Sequence, residues 1–261
     1  MIIHVVQPGE NIYSIAQRYG VSPQRLLFDN QIPSSSELVV GQSLLLPEIT
    51  HQVNNNETLY SISNLYGVSV LDIVRNNPYL LDSQLYSGAN LVIKYQDEKK
   101  DGYKLKVNGY AYPYIDRNVL RESLLYLSEL SIFSYGFTTQ GALVPTDDEE
   151  LIVIAREFGV SPTLVLTPLD ENGKFNSYLV TVITSDKEVQ KTLINNLLTT
   201  VKAKGYNSVN VDFEYISPED KDSYTNFVSE LTRVMNSNGY SVSVALAPKS
   251  SSDQPGLLYE G

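Results

Sequence analysis

The residues best suited to chemistry lie in the stretch Tyr206-Asn207-Ser208-Val209-Asn210-Val211-Asp212-Phe213-Glu214-Tyr215. Val209, Val211, Phe213 and Tyr215 alternate with Ser208, Asn210, Asp212 and Glu214, which is the two-residue period of a strand. One face of that strand is apolar and the other carries an amide and two carboxyls. A parallel strand covered by helices should be apolar on both faces. Burying ionised carboxylates without partners is costly, so the pattern points to function. Carboxyls two residues apart project to one side, where each charge raises the other's pKa and lets one group hold its proton near neutrality. Glu214, further along the strand, is then assigned the role of acid.

Little else in the chain offers acid-base chemistry. The 261 residues contain no cysteine, which excludes disulfides, thiolate metal sites and a cysteine nucleophile. The two histidines, His4 and His51, fall at equivalent places in an early repeat, so a Ser-His-Asp triad or a histidine metal site in the later region is impossible. No metal and no cofactor is expected. A net charge of -11 disfavours nucleic acid and anionic membranes as partners. The acidity is spread along the chain and reads as solubility. No apolar run approaches the roughly 18 residues of a membrane span. Met1-Ile2-Ile3-His4 lacks the basic and apolar regions of a secretory signal, so none is expected.

The elements around the carboxylates come in two regimes. In the first, His4, Val6, Glu10, Tyr13, Ser14, Ile15, Tyr19, Gly20, Val21 and Ser22 recur 47 residues later as His51, Val53, Glu57, Tyr60, Ser61, Ile62, Tyr66, Gly67, Val68 and Ser69. Each copy reads as strand, helix, helix, strand. Ile12, Ile15, Ala16 and Tyr19 form a helical stripe closed by Gly20, and Ser22-Pro23 opens a second helix running to Asp29. Leu44-Leu45-Leu46 and Leu91-Val92-Ile93 give the closing strands, and Pro8-Gly9 and Asn55-Asn56 the turns before the first helices. The expected boundaries are 1–48 and 49–96 for the two copies, 97–104 for a charged linker, and 105–261 for the second regime.

These copies, with their Pro-Gly-Glu-x-Ile-Tyr-Ser-Ile-Ala-x-x-Tyr-Gly-Val run and later Asn30, resemble the LysM module. The resemblance implies binding to polymers containing N-acetylglucosamine, either peptidoglycan or chitin. The loops that carry this binding would hold Gly9, Glu10, Asn11, Asn30, Gln31 and Ile32 in the first copy, and Asn56, Glu57, Thr58, Asn77 and Pro78 in the second. The second copy departs from the pattern, with Asn55-Asn56 where the first has Pro8-Gly9.

Beyond the linker, strands at 105–111, 130–135, 163–166, 208–213 and 241–246 alternate with helices at 118–127, 147–158, 187–204 and 218–236. Such alternation predicts parallel βα units with right-handed crossovers, closed as an α/β barrel or laid out as a doubly wound sheet. No glycine-rich phosphate loop opens any of the helices, which argues against the second. In a barrel, Asp212 and Glu214 sit at the C-terminal end of the fourth strand, where barrel active sites gather.

The carboxylate strand resembles the Asp-Gly-x-Asp-x-Asp-x-Glu signature of glycoside hydrolase family 18. The resemblance implies a (β/α)8 barrel, Glu214 as proton donor, and Asp212 as the group that orients the substrate's 2-acetamido arm. Asn210 stands for the middle Asp, Asn207 for the first, and Ser208 for Gly. Asn210 would hydrogen-bond Asp212 but cannot share a proton with it, which implies a shifted pH dependence. Two LysM-like modules ahead of such a barrel resemble the cortex-lytic N-acetylglucosaminidases of endospore-forming bacteria. That likeness implies action on cortex peptidoglycan during germination and a place in the spore cortex, coat or cell wall. Val107-Asn108-Gly109-Tyr110-Ala111-Tyr112 and Val244-Ala245-Leu246-Ala247-Pro248-Lys249 fit its first and fifth strands. Tyr110 and Tyr112 share a strand face and could stack on sugar rings or pack as barrel filler.

Only five strands of eight are found, in a region shorter than the roughly 250 residues of a typical barrel. Pro255 to Gly261 reads as a loop leading onward, so the expectation is a barrel cut short at its C-terminus. The competing reading is a non-catalytic, lectin-like wall-binding protein; retention of both Asp212 and Glu214 speaks against it.

Overall fold

A computed structural model describes residues 2–34, 37–47, 49–95, 105–214 and 216–246. The expected linker at 97–104, Tyr215, the end of the fifth-strand motif at 247–249, and the loop at 255–261 lie outside the described residues. The chain divides into two compact units, Met1–Lys104 and Leu105–Gly261.

The first unit holds two βααβ modules. In the first, β1 (Ile2–Val5) pairs antiparallel with β2 (Ser43–Leu46), and between them lie α1 (Ile12–Tyr19) and α2 (Pro23–Asp29). The second repeats this with β3 (Ile49–Gln52), α3 (Leu59–Tyr66), α4 (Val70–Asn76) and β4 (Asn90–Lys94), and adds a short 3-10 helix at Pro78–Leu81. Ile15, Leu26, Leu44 and Leu46 form one core, and their equivalents Ile62, Ile73, Leu91 and Ile93 the other. The turn ahead of the first helix needs a left-handed residue. Gly9 supplies it at φ 82° and Asn56 at φ 67°. Asparagine tolerates that region better than other side chains do, so the sequence departure at Asn55-Asn56 leaves the turn intact.

The second unit is a parallel sheet in sequential order: β5 (Asn108–Ala111), β6 (Glu129–Phe137), β8 (Ser161–Leu166), β9 (Ser208–Val211) and β10 (Ser241–Val244). A two-residue strand, β7 (Leu143–Val144), folds back antiparallel on the end of β6. Helices α5 (Arg117–Leu124), α6 (Glu149–Glu157), α7 (Tyr178–Ser185), α8 (Lys187–Lys204) and α9 (Lys221–Ser237) connect the parallel strands. A doubly wound sheet places its first strand in the interior; here the first and fifth strands are the two ends of the parallel series among the described residues. This is the arc of a β/α barrel.

The arc has a dry face and a polar face. Val209, Val211 and Phe213 are fully buried, and Phe213 stacks on Phe227 of α9 at 5.8 Å and 7°. On the other face Ser131 donates to Asn108 at 3.0 Å, Thr163 and Ser208 share a 2.6 Å hydrogen bond, and Asn210 donates to Ser243 at 2.8 Å. The polar residues of β9 therefore belong to a sheet-wide network of satisfied groups. For Ser208 and Asn210 the network gives a structural reason for polar side chains on that face beside the functional one, because hydrogen bonding removes the penalty of burying them.

Helix α8 occupies the span read from sequence. Asp186 caps it by accepting from the Glu188 and Val189 amides, Lys202 and Lys204 sit in its last turn, and Gly205 closes it at φ 79°.

Candidate active site

Past Val211 the Asp212 amide donates to Leu166 O at 2.9 Å, carrying the ladder one residue beyond β9. Phe213 is buried on the helix side. Asp212 and Glu214, one residue to either side of it, are both partly exposed. Burial, and then the neighbouring charge of Glu214, push the Asp212 carboxyl above the usual range. Among the described residues, neither carboxyl is paired with a cation.

Asn210 is 4% exposed and hydrogen-bonded through both its amide oxygen and its amide nitrogen. Its Oδ1 accepts from the Tyr110 hydroxyl at 3.0 Å, and its Nδ2 donates to Ser243. The anticipated Asn210–Asp212 hydrogen bond is not made, because Tyr110 and Ser243 hold the amide from strands on either side. The Tyr110 hydroxyl is itself raised, first by burial and then by the charge of Asp212, while its bond to Asn210 acts in the opposite sense. Tyr110, Asn210, Asp212 and Glu214 thus form one electrostatic cluster on the polar side of the arc.

Tyr112 goes elsewhere. It stacks on Tyr114 at 5.1 Å and 15°, and meets the edge of Phe133 at 5.1 Å. These three rings line a cleft of about 680 Å³ that also takes in Ser134, Asp147 and Asp170. Gly136 is needed in its wall, since a Cβ there would run into the Leu169 carbonyl. Tyr114, Phe133 and Asp170 were not picked out from the sequence. The alternation of Tyr110, Tyr112 and Tyr114 was the signal available for the first of them.

In the first unit, the expected sugar-loop residues turn out to be heavily used by the fold. Asn11 caps α1 by accepting from the Tyr13 and Ser14 amides, and Thr58 caps α3 by accepting from Ser61. Glu10 accepts from His4 at 2.6 Å and from the Gln7 amide at 2.9 Å, and pairs with Arg18 at 2.7 Å. Glu57 repeats the histidine and turn contacts with His51 at 2.8 Å and the Asn54 amide at 2.7 Å. Tyr19 and Tyr66 close each relay on the other histidine nitrogen.

Asn30 bonds to Leu26 O and to both the amide and carbonyl of Leu45, and Asn77 bonds to Ile73 O and to both groups of Val92. Asn77 is completely buried. As a sugar contact the buried Asn77 is corrected, its side chain tying the second helix to the closing strand; Asn30 makes the equivalent bonds and stays partly exposed. Gly9, Asn56 and Ile32 remain in the loops, with Ile32 packed against the first core.

Among the described residues no group of three or more His, Asp or Glu side chains is arranged to hold a metal ion. No described helix is long and apolar enough to cross a membrane.

Residues 4–47 and 51–94 match the LysM domain family. Nearly the whole chain is similar to the cortical fragment-lytic enzyme of Bacillus cereus, at 39% identity over 99% of this chain and 61% of that protein. The crystal structure of the Bacillus megaterium spore cortex-lytic enzyme SleL superposes with a TM-score of 0.63 at 29% identity, covering 99% of this chain and 61% of that one. A class V chitinase from Pseudomonas fluorescens shares the barrel fold, with a TM-score of 0.51 at 20% identity over 57% of this chain and 47% of that one. The chain spans about three fifths of the length of the curated relatives it matches.

Proposed function

We propose that this chain, two LysM domains followed by the arc of a glycosidase-like β/α barrel, belongs to a peptidoglycan-binding glycoside hydrolase that cuts β-1,4 bonds next to N-acetylglucosamine in fragments of spore cortex. The observation that carries the reading is the carboxyl pair: Asp212 and Glu214 at the mouth of the fourth parallel strand, with no cation paired to either among the described residues and with Asp212 raised by burial and by Glu214. Paired carboxyls of this kind are costly unless they are used.

The mechanism is substrate-assisted, one of the exceptions to the two-carboxylate scheme. Glu214 donates its proton to the glycosidic oxygen as the C1–O bond breaks. The substrate's own acetamide oxygen takes the departing bond's place at C1, giving a cyclic oxazolinium. Water then attacks C1 from the face the leaving group vacated, returning a proton to Glu214 and retaining the configuration. Asp212 accepts a hydrogen bond from the acetamide N–H and balances the positive charge of the ring. A carboxylate with raised proton affinity is the stronger acceptor for that bond. Asn210, fixed by Tyr110 and Ser243, keeps the strand end aligned. The rings of Tyr112 and Tyr114 offer exposed faces to adjoining sugars.

The LysM pair supplies affinity for the polymer, which places the protein at the spore cortex or cell wall. The test is to incubate the protein, in a form with the relatives' full length, with purified cortex muropeptides and to weigh the products. Fragments ending in N-acetylglucosamine are expected. Retained binding with no cleavage would instead establish a lectin-like role.

A further inference from the structure

Between the two LysM domains sits an arginine that neither domain needs for its own core. Arg25, on α2 of the first, pairs with Asp29 at 2.7 Å. It then reaches into the second, donating to Asn77 Oδ1 at 3.0 Å, to the Asn76 carbonyl, and to the Tyr95 hydroxyl at 2.9 Å. Tyr95 closes the ring by donating to Asp29 at 2.7 Å. The Arg25 side chain is 11% exposed and that of Asp29 4%. Burial with Asp29 at hand lifts the Tyr95 hydroxyl to about 12, and the guanidinium, which burial alone would lower, is held above its ordinary value by Asp29 and Tyr95. A planar guanidinium spread over four acceptors fixes distance and angle together, which a lysine could not do.

The position of this cluster matters. Asn77 Oδ1 also receives the Val92 amide, in the staple that ties α4 to β4. The loop beginning at Pro78 leaves from that anchor. The repeat's symmetry is broken at the same place, since the positions equivalent to Arg25 and Asp29 hold Asp72 and Asn76 in the second domain. The contact is therefore head-to-tail, and the second domain does not carry the surface that would clamp a third.

We propose that Arg25 is a positioning residue that locks the two LysM domains into one rigid body, presenting both sugar loops to a single glycan strand. This rests on the carbohydrate-binding reading of the domains given above. A preorganised pair binds a strand that spans both sites without first ordering the domains, so the benefit appears only for long ligands.

The absence of native cysteines allows spin labels at two introduced ones, and Gln17 and Asn64 are exposed equivalents on α1 and α3. Distances between labels, measured by pulsed electron resonance, should form one narrow distribution in the otherwise unaltered chain and a broad one in Arg25→Gln. Tyr95→Phe, which leaves the Arg25–Asp29 pair in place, should broaden it in the same direction. In calorimetry both variants should bind chitotetraose as the parent does and chitooctaose roughly tenfold or more weaker. A broad distribution in the parent, or unchanged chitooctaose affinity in both variants, overturns the proposal. If the parent binds neither oligosaccharide, the carbohydrate reading of the domains fails, and the width of the distance distribution still decides whether the clamp exists.

Discussion

Carboxylates are treated in opposite ways in the LysM unit and at the end of β9. In the LysM unit, Asp29 meets Arg25, Glu10 meets His4 and Arg18, and Glu57 meets His51. Even in the barrel arc, the fully buried Asp148 is surrounded by Lys204 at 2.5 Å and by the hydroxyls of Tyr135 at 2.7 Å and Tyr206 at 2.5 Å. At the end of β9 the charge of Glu214 acts on Asp212, and among the described residues neither carboxyl is paired with a cation. Acidic groups that meet donors are architecture, because their charge is neutralised where it stands. In the proposed function the pair without a cation is the one that meets the substrate. Each prediction below tests one side of that contrast.

The largest effect belongs to the unpaired side. Glu214→Gln keeps the shape and removes the transferable proton, so turnover on cortex muropeptides should fall by roughly 10²- to 10⁴-fold, the usual worth of a positioned general acid. The far-ultraviolet circular dichroism spectrum should be unchanged. Undiminished turnover would end the hydrolase reading of this strand.

On the paired side the cost should appear in folding. Asp148→Ala leaves Lys204 and two buried hydroxyls without their shared acceptor; both hydroxyls are raised first by burial and then by that carboxylate, and the lysine is raised by its neighbours there against the opposing effect of burial. Breaking a buried pair from one side costs about 3–5 kcal/mol, which a urea titration would read directly. A variant of full stability would show that the hub is ornamental and that pairing is no guide to architecture.

The third test uses the sign of a pKa shift. Asp212 is raised in the folded state, so the fold gains stability as pH falls through that raised value and carries the cost of the ionised group above it. Asp212→Asn removes that cost. It should leave the protein slightly more stable at neutral pH, by about 0.5 kcal/mol or more on the scale of functional-site replacements, while turnover falls. The half-exposed setting keeps the gain small, because water screens the charge. A loss of stability at pH 7 would mean that Asp212 serves the fold.

Much of this contrast was readable in the sequence, and the parts that were not have identifiable causes. The LysM helices and α8 were legible because their caps are local: Asn11, Ser22 and Asp186 at the starts, and Gly20 and Gly205 at the ends. Helix α7 was missed. Its residues Tyr178-Leu-Val-Thr-Val-Ile-Thr-Ser favour strands, and it is helical because Leu179, Val180 and Ile183 are buried among its neighbours. The pairing of Asp212 with Glu214 was legible because a two-residue spacing is local as well. What held Asn210 was not, since Tyr110 lies 100 residues away and Ser243 lies 33. Asn77 misled for a related reason: an asparagine after a helix looks the same whether it faces a ligand or staples the next strand.

The smallest effect separates the two LysM domains from each other. Glu10 and Glu57 are both held below the ordinary carboxylate range, each first by a turn amide and then by its histidine. Their contribution to stability is present above the ordinary pKa and is lost as pH falls through the lowered folded value, the reverse of Asp212. Glu10 has a further partner in Arg18, whereas the equivalent position in the second domain is Leu65. Hydrogen exchange in peptides from residues 2–34 and 49–95, followed from pH 6 downward, should show both domains loosening in acid. Glu10→Gln should remove more of the acid response in its domain than Glu57→Gln removes in the other. Equal responses would show that the relay of tyrosine, histidine and turn amide carries the whole effect and that Arg18, 57% exposed, adds nothing measurable.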